Sequence, residues 1–237
     1  MVSRLLRFES GRPAVVGSIG NAAVLQDVSL EDAHAACDIV EIRLDGLAAE
    51  NALDRRNWQH LVGIPLLFTA RRQEEGGMLP STADERAAWL EVAMEDAAAI
   101  DIEVASLLEM SGIVSKILAK GVPLVASFHD FSSTPEPAVW EDRLAVARSH
   151  GASVFKAAAR LHGLSDLQSL ASFQAVDHGL PVAMMGMGPL APVSRLLCAQ
   201  HGSVLNYGYL GDLPTAPGQW SAAKLKGAIA SLESIRA

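Results

Sequence analysis

The chain has 237 residues, of which 50% are hydrophobic, 19% charged and 5% aromatic, and its net charge is −8. This apolar fraction indicates a large buried core and excludes a disordered chain. The negative charge, without any run of Lys or Arg, argues against a nucleic-acid partner. A length near about 250 residues is typical of one (β/α)₈ barrel, although two small domains would also fit.

The N-terminus, MVSRLLRFESGRP, lacks the long apolar region of a signal peptide. No stretch reaches the roughly eighteen uninterrupted apolar residues that a membrane span requires. Cys37 and Cys198 each lie in an apolar helical pattern, as expected for reduced, packed thiols. We therefore expect a cytoplasmic protein with no membrane partner.

Short apolar runs recur along the chain, and a longer amphipathic segment follows each of them. The runs lie at 13–19, 38–44, 64–70, 99–105, 122–128, 152–158, 180–186 and 203–208. Nearly continuous apolar runs such as IPLLFTA are typical of parallel strands that are buried on both faces. Thr82, three residues before Glu85, forms a capping-box pattern that predicts the start of a helix.

Eight predicted strand–helix units, with no Ser/Gly/Pro-rich linker between them, favour a single domain over residues 1–237. The fold we predict is an α/β, single-domain (β/α)₈ TIM barrel. The alternative is an open doubly wound sheet, which needs a glycine-rich turn after its first strand. GSIGN at 17–21 lacks the GxGxxG spacing of such a turn.

Ionisable and amide side chains interrupt the predicted strands near their carboxyl ends, where barrel enzymes carry their catalytic groups. Residues two apart in a strand face the same side, so several of these charges are expected to converge. Each alone could be structural, but burying so many charges without a function would be costly. The residues are Glu41, Arg43, Arg71, Asp101, Glu103, His129, Lys156, Arg195 and Gln219.

Lys156 is flanked by Val154-Phe155 and Ala157-Ala158, which predicts that its amine is partly desolvated. Desolvation lowers the pKa of a lysine and makes it a candidate nucleophile. A lone lysine in a strand is more often an exposed edge residue. A lone histidine such as His129 is likewise more often structural than catalytic.

A metal site is the main competing interpretation, because His129, Asp101, Glu103 and Glu75 are all ligand types. The chain has no HxH or HExxH motif, and the arginines and lysine at the same strand ends would oppose a divalent cation. We therefore expect neither a metal nor another cofactor. A serine triad is less favoured still, because there is no GxSxG and Ser127 lacks a nucleophile elbow.

Seven motifs together resemble the type I 3-dehydroquinate dehydratases of the shikimate pathway, which serves aromatic amino-acid biosynthesis. They follow the family's order and spacing from the second strand to the last helix. The motifs are EIRLD (41–45), PLLFTARRQEEGG (65–77), DIEVA (101–105), SFHDFSSTP (127–135), FKAAA (155–159), MGMGPLAPVSR (185–195) and TAPGQW (215–220).

The resemblance implies a lyase that dehydrates 3-dehydroquinate to 3-dehydroshikimate through a covalent imine. Lys156 would form the imine with the substrate ketone. His129 would act as general base and then as general acid, and Glu103 would hold the His129 ring. The same resemblance implies that the small-molecule substrate and a second copy of the chain, in a homodimer, are the partners.

Further roles follow from the same resemblance. Arg195 would bind the substrate carboxylate, and the segment 185–195 would form a lid over it. The remaining substrate-binding or ordering residues would be Glu41, Arg43, Arg71, Thr215 and Gln219.

Three positions depart from the family pattern: Thr215 replaces a serine, Ala191 a glycine of the lid, and Tyr207 a phenylalanine. Trp89 and Leu90, on a predicted outer helix, are apolar residues compatible with a dimer contact. Two other functions stay open. One is a class I aldolase on a similar barrel, and the other is a non-catalytic barrel that binds ligand without turnover.

Overall fold

The computed structural model describes residues 5–9, 12–212 and 214–233. Eight strands alternate with helices along this part of the chain. The strands are β1 (Ala14–Ile19), β2 (Ile39–Arg43), β3 (Leu66–Thr69), β4 (Ala99–Glu103), β5 (Leu124–Asp130), β6 (Val154–Arg160), β7 (Val182–Met187) and β8 (Leu205–Tyr209). The helices are α1 (Ala22–Asp27), α2 (Leu30–Ala36), α3 (Leu44–Ala49), α4 (Ala83–Ala93), α5 (Ser111–Ala119), α6 (Pro137–Ser149), α7 (Leu164–Ala175), α8 (Ala191–Gln200) and α9 (Ala222–Glu233).

All paired strands are parallel, in the order β7-β6-β5-β4-β3-β2-β1-β8. Strands that follow one another in the chain are neighbours, and the last strand pairs with the first, placing Tyr207 beside Val16. This order belongs to a (β/α)₈ barrel, because a doubly wound sheet reverses its strand order partway. The predicted TIM-barrel fold is confirmed.

Strands β7 and β8 meet at a seam, where the described residues form no continuous ladder. One backbone hydrogen bond, 3.3 Å long, runs from the Val204 N–H to β7. The side-chain oxygens of Gln174 and Ser194, on α7 and α8, accept from the Met184 and Gly186 N–H groups at 2.9 Å each. Helix side chains therefore satisfy a buried strand edge that a ladder would otherwise satisfy.

The inner face of the barrel is apolar at its amino end. Each strand contributes one residue to this apolar layer, which we call the floor. All of its side chains are almost inaccessible to solvent. Leu6 and Phe8 pack against the floor from below. The floor comprises Val16, Ile39, Leu67, Ala99, Val125, Val154, Ala183 and Leu205.

A second, larger core lies between the outer face of the sheet and the helices. Its largest members include Trp58 and Phe68, which are both fully buried and meet edge to face at 5.3 Å between ring centroids. Helix α4 begins where the sequence predicts, because Thr82 and Glu85 form the expected capping box. Apolar residues on both faces of the strands thus serve two cores at once.

The strands β5 and β7 begin two residues later than their apolar runs. Pro123 and Pro181 precede them and have no N–H to donate to a ladder, so regular pairing starts at the following residue. Strand β5 also extends to Asp130, and His129 therefore lies inside the strand rather than at its end.

Leu90 and Trp89 do not form a free apolar surface. Leu90 is fully buried in the outer core, and Trp89 packs partly against the same core. No helix in the described part of the chain is both long and apolar enough to cross a membrane.

Candidate active site

Two residues beyond each floor residue, the inner face of the barrel becomes mostly polar. We call this set the second layer, because strand periodicity points it into the barrel directly above the floor. All its members except Met185 carry hydroxyl, carboxyl or amine groups. The second layer comprises Ser18, Glu41, Thr69, Asp101, Ser127, Lys156, Met185 and Tyr207.

Lys156 is buried at the centre of the second layer, with a side-chain exposure of 5%. Its amine donates to Asp101 Oδ2 at 3.0 Å, and Ser127 Oγ donates to the other oxygen at 2.6 Å. Burial lowers the pKa of Lys156 from its usual value, although the Asp101 carboxylate opposes the shift. The predicted desolvation of this lysine agrees with its position.

Tyr207 lies on the other side of the lysine. The Lys156 amine sits over its ring, 4.1 Å from the ring centroid. The Tyr207 hydroxyl is buried and has no hydrogen-bond partner among the described residues. Burial, followed by the charges of Glu41 and Asp101, raises the pKa of Tyr207 well above its usual value, so the phenol stays neutral.

His129 lies above Lys156, and its side chain is only 10% exposed. Among the described residues, the carboxylate that contacts it is Glu75, which accepts from the backbone N–H at 2.9 Å and lies 3.1 Å from Nδ1. Burial and then the cations Arg71 and Lys156 hold the pKa of His129 well below its usual value. The imidazole is therefore neutral and can accept a proton.

Glu103 does not hold the His129 ring, contrary to the expectation from sequence. Its Oε1 accepts from Arg71 Nη1 at 2.8 Å and from the Arg72 N–H at 3.1 Å, while Oε2 has no partner among the described residues. The carboxylate of Glu103 is bound by the Arg71 guanidinium instead. Glu75 takes the position that sequence reasoning gave to Glu103.

Glu75 itself has an unusual protonation state. Burial raises its pKa to about 7, although the nearby Arg71 cation opposes that shift and Glu103 adds to it. The carboxyl therefore changes charge near neutral pH while it contacts His129. The sequence indicated Glu75 only as a possible metal ligand. The feature that could have indicated its position near the site is Gly76, whose φ of 90° turns the chain back just after this carboxyl group.

Arg43 and Arg71 are already neutralised by carboxylates. Arg43 donates to both oxygens of Asp45 at 2.8 and 2.7 Å. Arg71 donates to Glu103 at 2.8 Å and to Asp101 at 3.0 Å. These paired cations order the site, and Asp45, which sequence reasoning did not select as a site residue, also accepts the Arg71 N–H at 3.2 Å.

Glu41 is held by two hydroxyl groups of neighbouring strands. Ser18 donates to one carboxylate oxygen, and Thr69 donates to the other at 2.8 Å. The carboxylate faces the cavity above it, as the alternation along β2 predicts.

Arg195 differs from the other two arginines because no carboxylate neutralises it among the described residues. Its Nη1 donates to the Tyr207 carbonyl at 2.7 Å, and its buried Nε has no partner in that part of the chain. Burial lowers the pKa of Arg195 to about 10. A buried guanidinium without a carboxylate partner is able to bind an anion in the cavity that it lines.

The segment 185–195 is not a lid loop. Met185 and Met187 belong to β7, and Arg195 belongs to α8, so only residues 188–190 connect the two elements. Pro192 lies in the first turn of α8, where proline favours helix formation. Ala191 is thus a buried helix residue rather than a hinge.

The longer connection after β8 carries Thr215 and Gln219 over the site. Gln219 Oε1 accepts from the Thr215 N–H and hydroxyl, both at 2.9 Å, and from the Ala216 N–H at 3.2 Å. This fan of three bonds fixes the turn at the rim of the cavity. The methyl group that distinguishes Thr215 from serine does not prevent the contact.

The residues surround one cavity at the carboxyl end of the barrel. Among the described residues, no group of three or more His, Cys, Asp or Glu side chains is arranged to hold a metal ion. The lining includes Glu41, Arg43, Arg71, Glu75, His129, Lys156, Met185, Met187, Arg195, Tyr207, Thr215 and Gln219.

Comparison with known sequences identifies relatives of the whole chain. The family described as Type I 3-dehydroquinase matches residues 20–236. The 3-dehydroquinate dehydratase of Methanothrix thermoacetophila is 32% identical over 93% of this chain and 92% of its own length. That of Haloquadratum walsbyi is 34% identical over 89% of this chain and 91% of its own length.

Solved structures agree in fold. The type I 3-dehydroquinate dehydratase of Clostridium difficile, crystallised with covalently modified comenic acid, has a TM-score of 0.82 and 24% identity, covering 99% of this chain and 97% of that one. The 3-dehydroquinate dehydratase of Enterococcus faecalis has a TM-score of 0.78 and 25% identity, covering 98% of each chain. The resemblance inferred from the motifs is confirmed, and the chain belongs to the type I 3-dehydroquinase family of hydro-lyases.

Proposed function

We propose that this protein dehydrates 3-dehydroquinate to 3-dehydroshikimate through an imine on Lys156. The observation that carries the proposal is the buried amine of Lys156, which lines the same cavity as His129 and the uncompensated guanidinium of Arg195. One cavity thus combines an amine nucleophile, a proton acceptor and an anion receptor. Family membership supplies the substrate, because the curated relatives bear the name of this activity.

The first chemical step is attack of the neutral Lys156 amine on the substrate ketone. The carbinolamine that forms loses its oxygen as water and leaves a protonated imine. Desolvation supports this step, because it lowers the pKa of the lysine and increases the fraction of neutral amine. Asp101 accepts a hydrogen bond from the amine and can direct its approach.

The second step is proton removal from the carbon next to the imine, which serves as the electron sink. His129 takes this proton because its lowered pKa leaves the imidazole neutral, with a free electron pair that can accept a proton. The electron pair then expels the hydroxyl on the following carbon, and His129 returns the proton so that water leaves. Hydrolysis of the imine consumes one water and releases the product, so the net reaction liberates one water.

Glu75, rather than Glu103, supports His129 in this scheme. Its carboxylate beside Nδ1 favours the tautomer that has its proton on Nδ1 and its free electron pair on Nε2. The carboxylate also stabilises the imidazolium that exists between the two proton transfers. Glu103 acts one step further away, by fixing Arg71.

Arg195 binds the substrate carboxylate. Arg43 and Arg71 are paired with carboxylates of the protein, whereas Arg195 has an unpartnered Nε and donates mainly to a backbone carbonyl. Glu41, Thr215 and Gln219 lie at the cavity wall, where they can contact the ring hydroxyls of the substrate.

The test uses ultraviolet absorbance of the conjugated product formed from 3-dehydroquinate, with and without a chelator. We expect turnover that the chelator does not change. Borohydride added with the substrate should leave a stable mass on Lys156. A protein that binds 3-dehydroquinate in calorimetry but forms no product would instead be a non-catalytic barrel, and turnover of a phosphorylated keto sugar alone would indicate an aldolase.

We also propose that the whole chain is one catalytic domain, working in the cytoplasm as a homodimer. The cavity, lined by residues of five strands (β2, β5, β6, β7 and β8) and of the loops after β3 and β8, supports the first part. Light scattering coupled to size-exclusion chromatography tests the second, since a monomeric mass at micromolar concentration would contradict a stable dimer.

A further inference from the structure

The amine of Lys156 is contacted on two opposite sides by groups of different kinds. Asp101, on β4, accepts its hydrogen bond at 3.0 Å. Tyr207, on β8, presents its ring face to the same amine at 4.1 Å from the centroid. A cation over an aromatic face is attracted by the electron density of the ring, and more strongly where water is excluded.

The other charged groups around Lys156 lie on further strands of the barrel. Their effects differ in sign, since the carboxylates favour the ammonium form and the cations oppose it. Arg71 follows β3 and Glu41 lies on β2, while His129 lies on the neighbouring strand β5. Burial has a larger effect than any of them and favours the neutral amine.

Asp101 alone leaves the lysine incompletely restrained. A lysine side chain has four rotatable carbons and a compact charge, so one hydrogen bond does not fix its direction. Asp101 is also shared, because Arg71 and Ser127 bind its other oxygen at 3.0 and 2.6 Å. A second contact from the opposite wall is needed to keep the amine on the barrel axis.

We propose that Tyr207 is a positioning residue for Lys156, whose ring face opposite Asp101 keeps the amine directed along the barrel axis towards the cavity. The contact involves the ring and not the hydroxyl, because the hydroxyl has no partner among the described residues. The inference rests on the proposed function only for its effect on turnover. The contact itself exists independently of any substrate.

The ring has a second effect that makes the proposal measurable. An aromatic face attracts the ammonium but not the neutral amine, so it offsets part of the desolvation of Lys156. Fluorine atoms on the ring withdraw electron density with little change in its volume, and they should therefore lower the pKa of Lys156. A ring that merely filled space would not have this effect.

The experiment measures the pKa of Lys156 without substrate. The full chain is labelled competitively with acetic anhydride over a range of pH, and acetylation of each lysine is followed by mass spectrometry. The variants are Tyr207→Phe and two versions with phenylalanine carrying one or three ring fluorines at position 207. Circular dichroism checks that each variant is folded, and Lys116, on the surface, serves as the internal control.

We expect the pKa of Lys156 to be nearly the same in the parent and in Tyr207→Phe. It should fall with each added fluorine, by about one unit over the series. The pKa of Lys116 should not move. An unchanged pKa of Lys156 across the fluorinated series would overturn the proposal.

A second measurement addresses position rather than charge. Borohydride trapping of the imine with 3-dehydroquinate should slow about tenfold in Tyr207→Leu but remain within about threefold in Tyr207→Phe, because phenylalanine keeps the ring contact. Equal trapping by the two variants would count against positioning. If the parent itself traps no substrate, the proposed function fails, while the labelling series still decides the role of Tyr207.

Discussion

The floor and the second layer lie on the same eight strands, two residues apart, yet they differ completely in chemistry. The floor is apolar on every strand, as in a core that only needs to be filled. The second layer contains two carboxylates, an amine and three hydroxyls besides Met185 and Tyr207. One repeat of the strand thus separates the part of the barrel that holds it together from the part that can perform chemistry.

The second layer tolerates burial because most of its charges are paired. Lys156 and Arg71 share the two oxygens of Asp101, and Glu41 is held by two hydroxyl groups. Burying an isolated ion would cost several kcal/mol, and pairing with hydrogen bonds offsets much of that cost. Arg195, on α8 outside the second layer, lines the same cavity but has no carboxylate partner among the described residues.

The sharpest contrast between the two sets lies on β6. Lys156→Met should reduce kcat by more than about 10⁴-fold, because no amine remains to form the imine. Val154→Ala, two residues earlier in the floor, should keep kcat within a few-fold but lower the free energy of unfolding by about 2 kcal/mol. Product absorbance and urea denaturation measure the two effects.

An active Lys156→Met variant would rule out the imine. A Val154→Ala variant that stays fully stable would instead show that the floor is not a tightly packed core.

Arg195 tests the uncompensated charge. Arg195→Lys keeps the charge but loses the planar pair of donors, so we expect KM for 3-dehydroquinate to rise about 10- to 100-fold. Initial rates over a range of substrate concentrations give KM and kcat separately. A matched change at a surface ion pair, Arg56→Lys, should alter neither. An unchanged KM in Arg195→Lys would mean that another residue binds the substrate carboxylate.

Glu75 tests how much a buried ionisable carboxyl at the cavity end of the barrel lowers the free energy of unfolding. The pKa of its carboxyl is raised in the folded protein to about 7, so the stability it contributes is complete below the unfolded pKa and declines as pH rises towards 7. Glu75→Gln mimics the protonated form. It should therefore be more stable than the parent by about 2 kcal/mol at pH 8 and nearly equal to it at pH 4.

Urea denaturation at the two pH values measures this difference. Glu74→Gln is the control, because Glu74 is exposed and its pKa is lowered through hydrogen bonds to its own backbone and to Arg72. A gain at pH 8 in both variants would reflect net charge rather than the buried carboxyl.

The smallest expected effect concerns the seam. Gln174→Ala leaves the Met184 N–H without its acceptor, which should lower the free energy of unfolding by about 1–3 kcal/mol. Thermal denaturation measures the loss, and kcat should change little because Gln174 does not line the cavity. Gln168→Ala, the same substitution at an exposed position of the same helix, is a matched control that should leave stability unchanged. Equal melting temperatures for Gln174→Ala and the parent would mean that water replaces the amide.

The sequence predicts most of the barrel because apolar runs report strands that are buried on both faces. It also predicts Lys156 as a desolvated amine, since its flanking residues are apolar. The partner of His129 was not predictable in the same way. Glu103 lies on β4, next to the strand that carries His129, and the alternation of side chains places it on the same face as Asp101. Arg71 neutralises it, however. The path of the turn at Gly76, which brings Glu75 to the ring, depends on tertiary contacts such as the bond from Arg43.

The segment 185–195 teaches a related lesson. Pro192 is a local signal for the first turn of a helix, and it argues against a lid. The family resemblance implied a lid, whereas this local signal indicates a helix, and the structure has the helix α8 here. Fine geometry at the rim, such as the three bonds accepted by Gln219, depends on how the loop after β8 folds over the barrel.

The seam between β7 and β8 has a consequence for how the barrel responds to an occupant. Arg195 spans it, from α8 to the Tyr207 carbonyl on β8, and the same guanidinium lines the cavity. An anion bound by this guanidinium would share it with a carbonyl of the barrel wall. Occupation of the cavity would therefore act on the side chain that joins α8 to β8.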